Sequence, residues 1–151
     1  MKSIWQKFGV VLFWVLWPAL CLYVRGSERS RVLILSGDKV LLVKPWLGDG
    51  RWGLPGGGLH KGEEPLVGLS RELGEEVGLH DVQPVLLGVE QINDRGFRFT
   101  AHFFIAQLTV PQELRLQFLE IAAAQWVPRD SLGGLQCVPE VHRVLELSVN
   151  H

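Results

Sequence analysis

The sequence predicts an α/β fold, a mixed sheet flanked by helices and preceded by one apolar N-terminal helix. Three observations predict it. Short runs rich in Val, Leu, Ile and Phe, bounded by Gly, Asp and Pro, alternate along the chain with segments of helical periodicity. A glycine turn at Gly56, Gly57 and Gly58 feeds a segment whose apolar residues Leu66, Leu69, Leu73 and Val77 recur at helical spacing. Phe8 to Val24, finally, is seventeen residues without a charge.

The 151 residues suit one domain with one core, and charged residues at 21% against 47% hydrophobic exclude a disordered chain. A formal net charge of −1, with Lys and Arg scattered, provides no basic stripe for polymeric nucleic acid. Cys21 and Cys137 are the only cysteines, which indicates neither a disulfide framework nor a Cys/His zinc site.

Residues 1–25 form the first unit. Ile4 to Val24 would cover about 31 Å as a helix, close to the roughly 30 Å hydrocarbon thickness of a bilayer. Trp5 and Tyr23 lie near its ends, where interfacial aromatics are favoured, and Lys7 can snorkel to the headgroups. Lys2 and Lys7 precede the run and Arg25, Arg29 and Arg31 follow it, which directs the remainder of the chain to the cytoplasmic side. The expectation is a retained single-pass anchor contacting lipid through Ile4–Val24. A cleaved signal peptide and an interfacial or packed helix are the rival readings; the run exceeds the usual apolar region of a signal, and no clean A-x-A site follows it.

Residues 26–30 read as a polar linker and 31–151 as the folded domain. Arg31 to Ser36 and Val40 to Lys44 predict a hairpin about Gly37-Asp38, and Pro45 to Arg51 a loop. Trp52 to Gly58 reads as a short strand running into the glycine turn. A helix from about Glu64 to Val77 follows, with Pro65 in its first turn and Gly78 as the left-handed residue that stops it. Val82 to Ile92 and Phe97 to Leu108 predict strands about Asn93-Asp94-Arg95-Gly96. Pro111 to Phe118 is ambiguous, Ile121 to Val127 predicts a last strand, and Pro139 to Val149 a C-terminal helix.

Chemistry concentrates between Gly57 and Leu79, GGLHKGEEPLVGLSRELGEEVGL. Glu72, Glu75 and Glu76 stand at i, i+3 and i+4, so a helix brings their carboxylates to one face about 5–6 Å apart. At an effective dielectric of about 20 each such pair costs roughly 3 kcal/mol unless water or a cation intervenes. Oxygen ligands without thiols suit Mg²⁺ or Mn²⁺. Gly57, Glu63, Arg71, Glu72, Leu73, Glu75, Glu76, Gly78 and Leu79 also fall at the spacing G-x5-E-x7-R-E-(apolar)-x-E-E-x-G-(apolar), which resembles the Nudix box.

The resemblance implies a Nudix α/β/α sandwich and Mg²⁺- or Mn²⁺-dependent hydrolysis of the diphosphate in a nucleoside diphosphate linked to another moiety. It implies Glu72, Glu75 and Glu76 as metal ligands, with the Gly56 carbonyl as a further one. A Glu63–Arg71 ion pair would orient the glycine loop. Glu72 is the first choice for the water-activating base, and Glu120, Glu113 and Glu90 are alternatives outside the box, Glu120 foremost. For substrate contact the candidates are Trp46, whose loop precedes the glycine turn, and Arg95 or Arg98 for phosphates. His60, His80 and His102 have no metal or triad spacing. The proline of ADP-ribose subfamilies and the tyrosine of dinucleoside polyphosphate subfamilies are replaced by Arg95 and Phe97, so the substrate stays open. The competing readings are a lipid-linked diphosphate as substrate, a non-catalytic nucleotide-sensing module and a membrane adaptor; the complete box argues against the last two.

Overall fold

The computed structural model describes residues 2–150, Lys2 by its backbone alone; Met1 and His151, the outer ends of the two expected units, lie outside the described residues. The chain runs α1 (Lys2–Val24), β1 (Ser27–Ser36), β2 (Lys39–Pro45), α2 (Pro65–Val77), β3 (Val85–Asp94), β4 (Phe97–Leu108), β5 (Ile121–Pro128), a 3-10 turn (Arg129–Gly134) and α3 (Pro139–Val149). One five-stranded sheet has the order β3-β4-β1-β2-β5. Only β1 and β4 pair in parallel; the other neighbours are antiparallel, so the sheet is mixed as expected.

From Val32 in β1 and through β2 the strands are nearly continuous apolar runs because both faces are covered there. Val32, Ile34, Leu41 and Val43 turn toward Leu69, Leu73 and Val77 of α2. Leu33, Leu35, Val40 and Leu42 turn the other way and pack with Val141 and Val144 of α3 and Val24 of α1. The result is a sheet between helical layers, with α1 on the α3 side. The β3–β4 turn is the two residues Arg95 and Gly96, both at positive φ (49° and 85°), while Asn93 and Asp94 still pair within the ladder.

Four sequence expectations change. Ser27 to Ser30 are strand rather than linker, in register with Phe99 to His102, because β4 is twelve residues long and offers backbone partners that far. The sheet therefore begins at Ser27, not Arg31. β3 begins at Val85, just after Pro84, which cannot donate to a ladder. Trp52–Gly58 contributes only single bridges, Trp52 to Cys137, Gly53 to Val43 and Gly58 to Arg29. Leu66 faces outward, and Gly68 takes the inward position, where a Cβ would collide with Leu59.

Helix α1 is long and apolar enough to cross a membrane, its most apolar eighteen-residue stretch within Ser3–Val24 having a mean hydropathy of 1.8. It is docked along the domain. Phe13 stacks on Phe97 with centroids 5.8 Å apart, the Trp17 indole donates to the Arg95 carbonyl (2.9 Å), and Gln6 donates to the Ala122 carbonyl (3.2 Å).

Candidate active site

The site is built where α2, the glycine turn and one face of β1 converge. Arg71 clamps helix to loop. Its guanidinium donates to both Glu63 oxygens (2.9 and 3.0 Å), the Gly58 carbonyl (3.1 Å), Glu72 (2.9 Å) and Glu75 (3.2 Å). Glu63 also accepts from the His60 N–H (2.8 Å), and the hydrogen bonds from Arg71 and then His60 hold its carboxyl down to about 2. The same bonds, Glu63 first, raise the Arg71 guanidinium above its ordinary value.

Two glycines are required by close approach. Gly56 sits at φ +124°, where a Cβ would also meet the Ser30 carbonyl, and its N–H donates to Glu76 (2.9 Å). Its carbonyl accepts from the Arg31 guanidinium. At Gly57 a Cβ would occupy the space of the Glu72 carboxylate. The loop thus leaves room for two acidic side chains of α2 and aims the Gly56 N–H at one of them.

These elements wall a cavity of about 440 Å³. Glu72, Glu76, Glu120 and Gly56 line it together, so the foremost alternative base shares the space of the box glutamates. Burial pushes the Glu76 carboxyl up to about 7, and the charges of Glu72 and Glu120 add to that rise against the opposing Gly56 N–H and Arg31. Arg29 and Arg31 bring positive charge to the cavity wall. Burial, then the neighbouring Arg31, lowers the Arg29 guanidinium to about 10, and its Nε has no hydrogen-bond partner. Glu140, at the start of α3, is also buried in this wall; its Oε1 is unpartnered and burial raises its carboxyl.

Other expected site residues stand elsewhere. Glu75 is half exposed and turned to Arg71, outside the cavity lining, as are Arg71 and Glu63 themselves. Trp46 does not line the cavity; its ring stacks on Trp5 (4.7 Å) and its indole donates to the Trp5 carbonyl (3.0 Å), because α1 covers the loop that carries it. Arg95 reaches Asp49 (2.9 Å) behind the cavity wall, and Arg98 is exposed, on the opposite face of β4 from the cavity-lining Phe97 and Phe99. Glu90 pairs with Arg143 (2.7 Å), away from the carboxylates.

Sequence reasoning missed Arg29, Arg31 and Glu140, and the Asp49–Arg51–Asp94 network in the same wall. In that network Arg51 donates to Asp49 (2.7 Å) and Asp94 (2.5 Å), and its bonds outweigh burial to hold the Asp49 carboxyl below its ordinary range. The available signal was period two: Arg29 and Arg31 are i and i+2, one face of a strand.

Among the described residues no three His, Cys, Asp or Glu side chains converge into a finished metal cage. The donor set nevertheless fits a hard divalent cation. Mg²⁺ is usually held by one or two carboxylates and completed by water and substrate phosphate, which is what Glu72 and Glu76 in an open cavity offer. The raised Glu76 carboxyl is a site that a cation would relieve.

The NUDIX domain family model matches residues 27–145. The chain belongs to the NUDIX family. That is a family of pyrophosphohydrolases whose members generally use divalent cations, usually Mg²⁺. The chain is 36% identical over 127 residues to diphosphoinositol polyphosphate phosphohydrolase 3-alpha of Mus musculus, covering 82% of this chain and 71% of that protein. It is 31% identical over 124 residues to the 8-oxo-dGDP phosphatase NUDT18 of Homo sapiens, covering 80% of this chain but 38% of that one. Among solved structures, the MutT NUDIX hydrolase of Burkholderia pseudomallei matches with a TM-score of 0.72 and 25% identity, over 82% of this chain and 98% of that chain. The strand that the sequence reading made a linker begins where the family match begins, at residue 27.

Proposed function

We propose that this chain hydrolyses the diphosphate of a nucleoside diphosphate linked to another moiety, at the cytoplasmic face of a membrane, with Mg²⁺ or Mn²⁺ as its cofactor. The observation that carries the reading is that the carboxylates of Glu72, Glu76 and Glu120 share one cavity with Arg29 and Arg31. Carboxylates and guanidiniums in one cavity suit a cation on the former and phosphates on the latter.

Glu72 and Glu76 would hold the cation, with the Gly56 carbonyl, which accepts from Arg31, and Glu75, once released by Arg71, as further donors. When bound, the cation neutralises phosphate charge and acidifies a water. Glu72, or Glu120 in the same cavity, accepts the proton that water loses. Arg29 and Arg31 draw the diphosphate oxygens in and offset charge that grows on the departing phosphate. The Glu63–Arg71 clamp keeps the glycine loop rigid, so the backbone groups need no rearrangement at the moment of reaction.

The membrane part of the reading rests on α1. Its length allows a span, and its docking along the domain is what a helix lying at the bilayer surface requires. Were α1 to cross while docked, the Arg95 guanidinium, 5.8 Å from the Trp14 ring near mid-helix, would be carried toward the hydrocarbon at a cost of several kcal/mol. The outward face of α1 in the bilayer, with the domain beside it, avoids that cost.

The test is hydrolysis of a panel of nucleoside triphosphates and nucleoside diphosphate derivatives by the full chain in detergent, with Mg²⁺, Mn²⁺ or a chelator. Activity that requires the cation and falls at least about a thousandfold in Glu76→Gln is expected. Cation binding without turnover of any diphosphate would instead favour a sensing module.

A further inference from the structure

Helix α1 does more than stand beside the catalytic domain. Phe13, Leu20, Tyr23 and Val24 line the same cavity as Glu72, Glu76 and Arg31, so about 16 Å of this helix is wall of the site. The wall is continuous with the phosphate-facing groups. The Arg29 guanidinium lies over the Phe99 ring (5.6 Å), Phe97 is next on the same face of β4, and Phe13 stacks on Phe97. One step from a guanidinium suited to phosphate, the surface becomes apolar and leads onto α1.

The same helix is apolar on its other side. Ile4 (73% exposed), Val15 (70%) and Leu22 (71%) lie on the surface turned away from the domain. A helix apolar all round is covered all round. Here the domain covers one side, and a lipid bilayer is the medium that covers the other. Tyr23, at the mouth of the cavity, is exposed as well. An apolar chain can therefore leave the bilayer, follow α1 past Tyr23 and Leu20, and reach the arginines without crossing water.

We infer that the substrate is amphiphilic, a nucleoside diphosphate whose second phosphate is esterified to a lipid, with its chain against α1 and its diphosphate between Arg29, Arg31 and the carboxylates. The inference rests on the hydrolase reading above and gives the moiety beyond the diphosphate a chemical class. In the reaction, water attacks one phosphorus and the bond from that phosphorus to the bridging oxygen breaks. The products are nucleoside monophosphate and lipid monophosphate, and the proton of the attacking water passes to the carboxylate base. No oxidant or second substrate is needed.

The test compares CDP-dioctanoylglycerol with CDP-glycerol, which share nucleoside and diphosphate and differ in the acyl chains, using the full chain in phosphatidylcholine vesicles with Mg²⁺. The expected kcat/KM is at least about tenfold higher for the acylated substrate, the equivalent of burying about two methylenes. Leu20→Asp is expected to bring the ratio toward one, while Leu20→Met retains it. A wild-type ratio of one or below overturns the inference, and so does a ratio that Leu20→Asp leaves unchanged. If water-soluble nucleotides are hydrolysed while the ratio is one, only the lipid assignment fails. If no diphosphate is hydrolysed, the hydrolase reading fails with it.

Discussion

Replacing Glu76 by Gln should stabilise the metal-free protein at pH 8, do so about a quarter as much at pH 5, and abolish activity at both. Burial lifts the Glu76 carboxyl from 4.5 to about 7, so the ionised form is the one the fold disfavours. The unfolded chain releases this proton near 4.5 and the folded chain holds it until about 7. Stability is therefore present below 4.5, is lost as pH rises through that window, and is fully lost above 7. The loss comes to about 3 kcal/mol, each pKa step being worth about 1.4 kcal/mol. For a chain of this size that is roughly 6–12 °C in Tm. Gln keeps an oxygen for the Gly56 N–H and carries no charge. Thermal melts of wild type and Glu76→Gln, in a chelator at pH 5 and pH 8, read the difference directly. A Tm change equal at both pH values, or a loss at pH 8, would refute the reasoning.

Other expectations follow from the same geometry. Adding Mg²⁺ at pH 8 should raise the wild-type Tm by more than that of Glu76→Gln, since the cation replaces the proton that pH removed; equal shifts in both would contradict this. Gly57→Ala puts a methyl into the space of the Glu72 carboxylate and should lower kcat on the order of a hundredfold, checked by steady-state kinetics beside an unchanged far-UV spectrum. Arg71→Lys should lose most activity too, because an ammonium cannot bridge both Glu63 oxygens and the Gly58 carbonyl, and faster amide exchange over residues 56–63 should accompany the loss. If Glu120 is the base, Glu120→Gln should lower kcat about 10²–10⁴-fold while the Mg²⁺-dependent rise in Tm survives. If the loss appears in Glu72→Gln alone and the Mg²⁺-dependent rise in Tm survives there too, the base is Glu72.

The parts of the structure legible in the sequence were those fixed by local rules. The Pro65 start and Gly78 stop of α2, the Arg95-Gly96 turn and the two apolar faces of β1 and β2 each follow from residues close in the chain. What escaped was set by pairing over distance. Ser27 to Ser30 look like a polar linker until a twelve-residue β4 lies parallel beside them; then Ser30 is buried and donates to the Pro65 carbonyl (2.8 Å), while Arg29 and Arg31 turn into the cavity. Trp46 carries every feature of a stacking platform, yet its partner is Trp5, forty-one positions earlier, because α1 folds back over the domain. Helical spacing drew Glu72, Glu75 and Glu76 together, but Arg71 at i−4 holds Glu75 at the surface. Glu140 gave no local sign at all, since only the approach of α3 brings it to Arg29.

Mn²⁺ binding by the full chain, followed by electron paramagnetic resonance in wild type, Glu76→Gln and the Glu72→Gln/Glu76→Gln pair, asks whether α2 carries the cation. A bound Mn²⁺ that Mg²⁺ displaces is expected in wild type, weaker binding in the single variant, and none in the pair. Equal binding in all three proteins would put the cation somewhere other than the carboxylate face of α2 and contradict the site as built here.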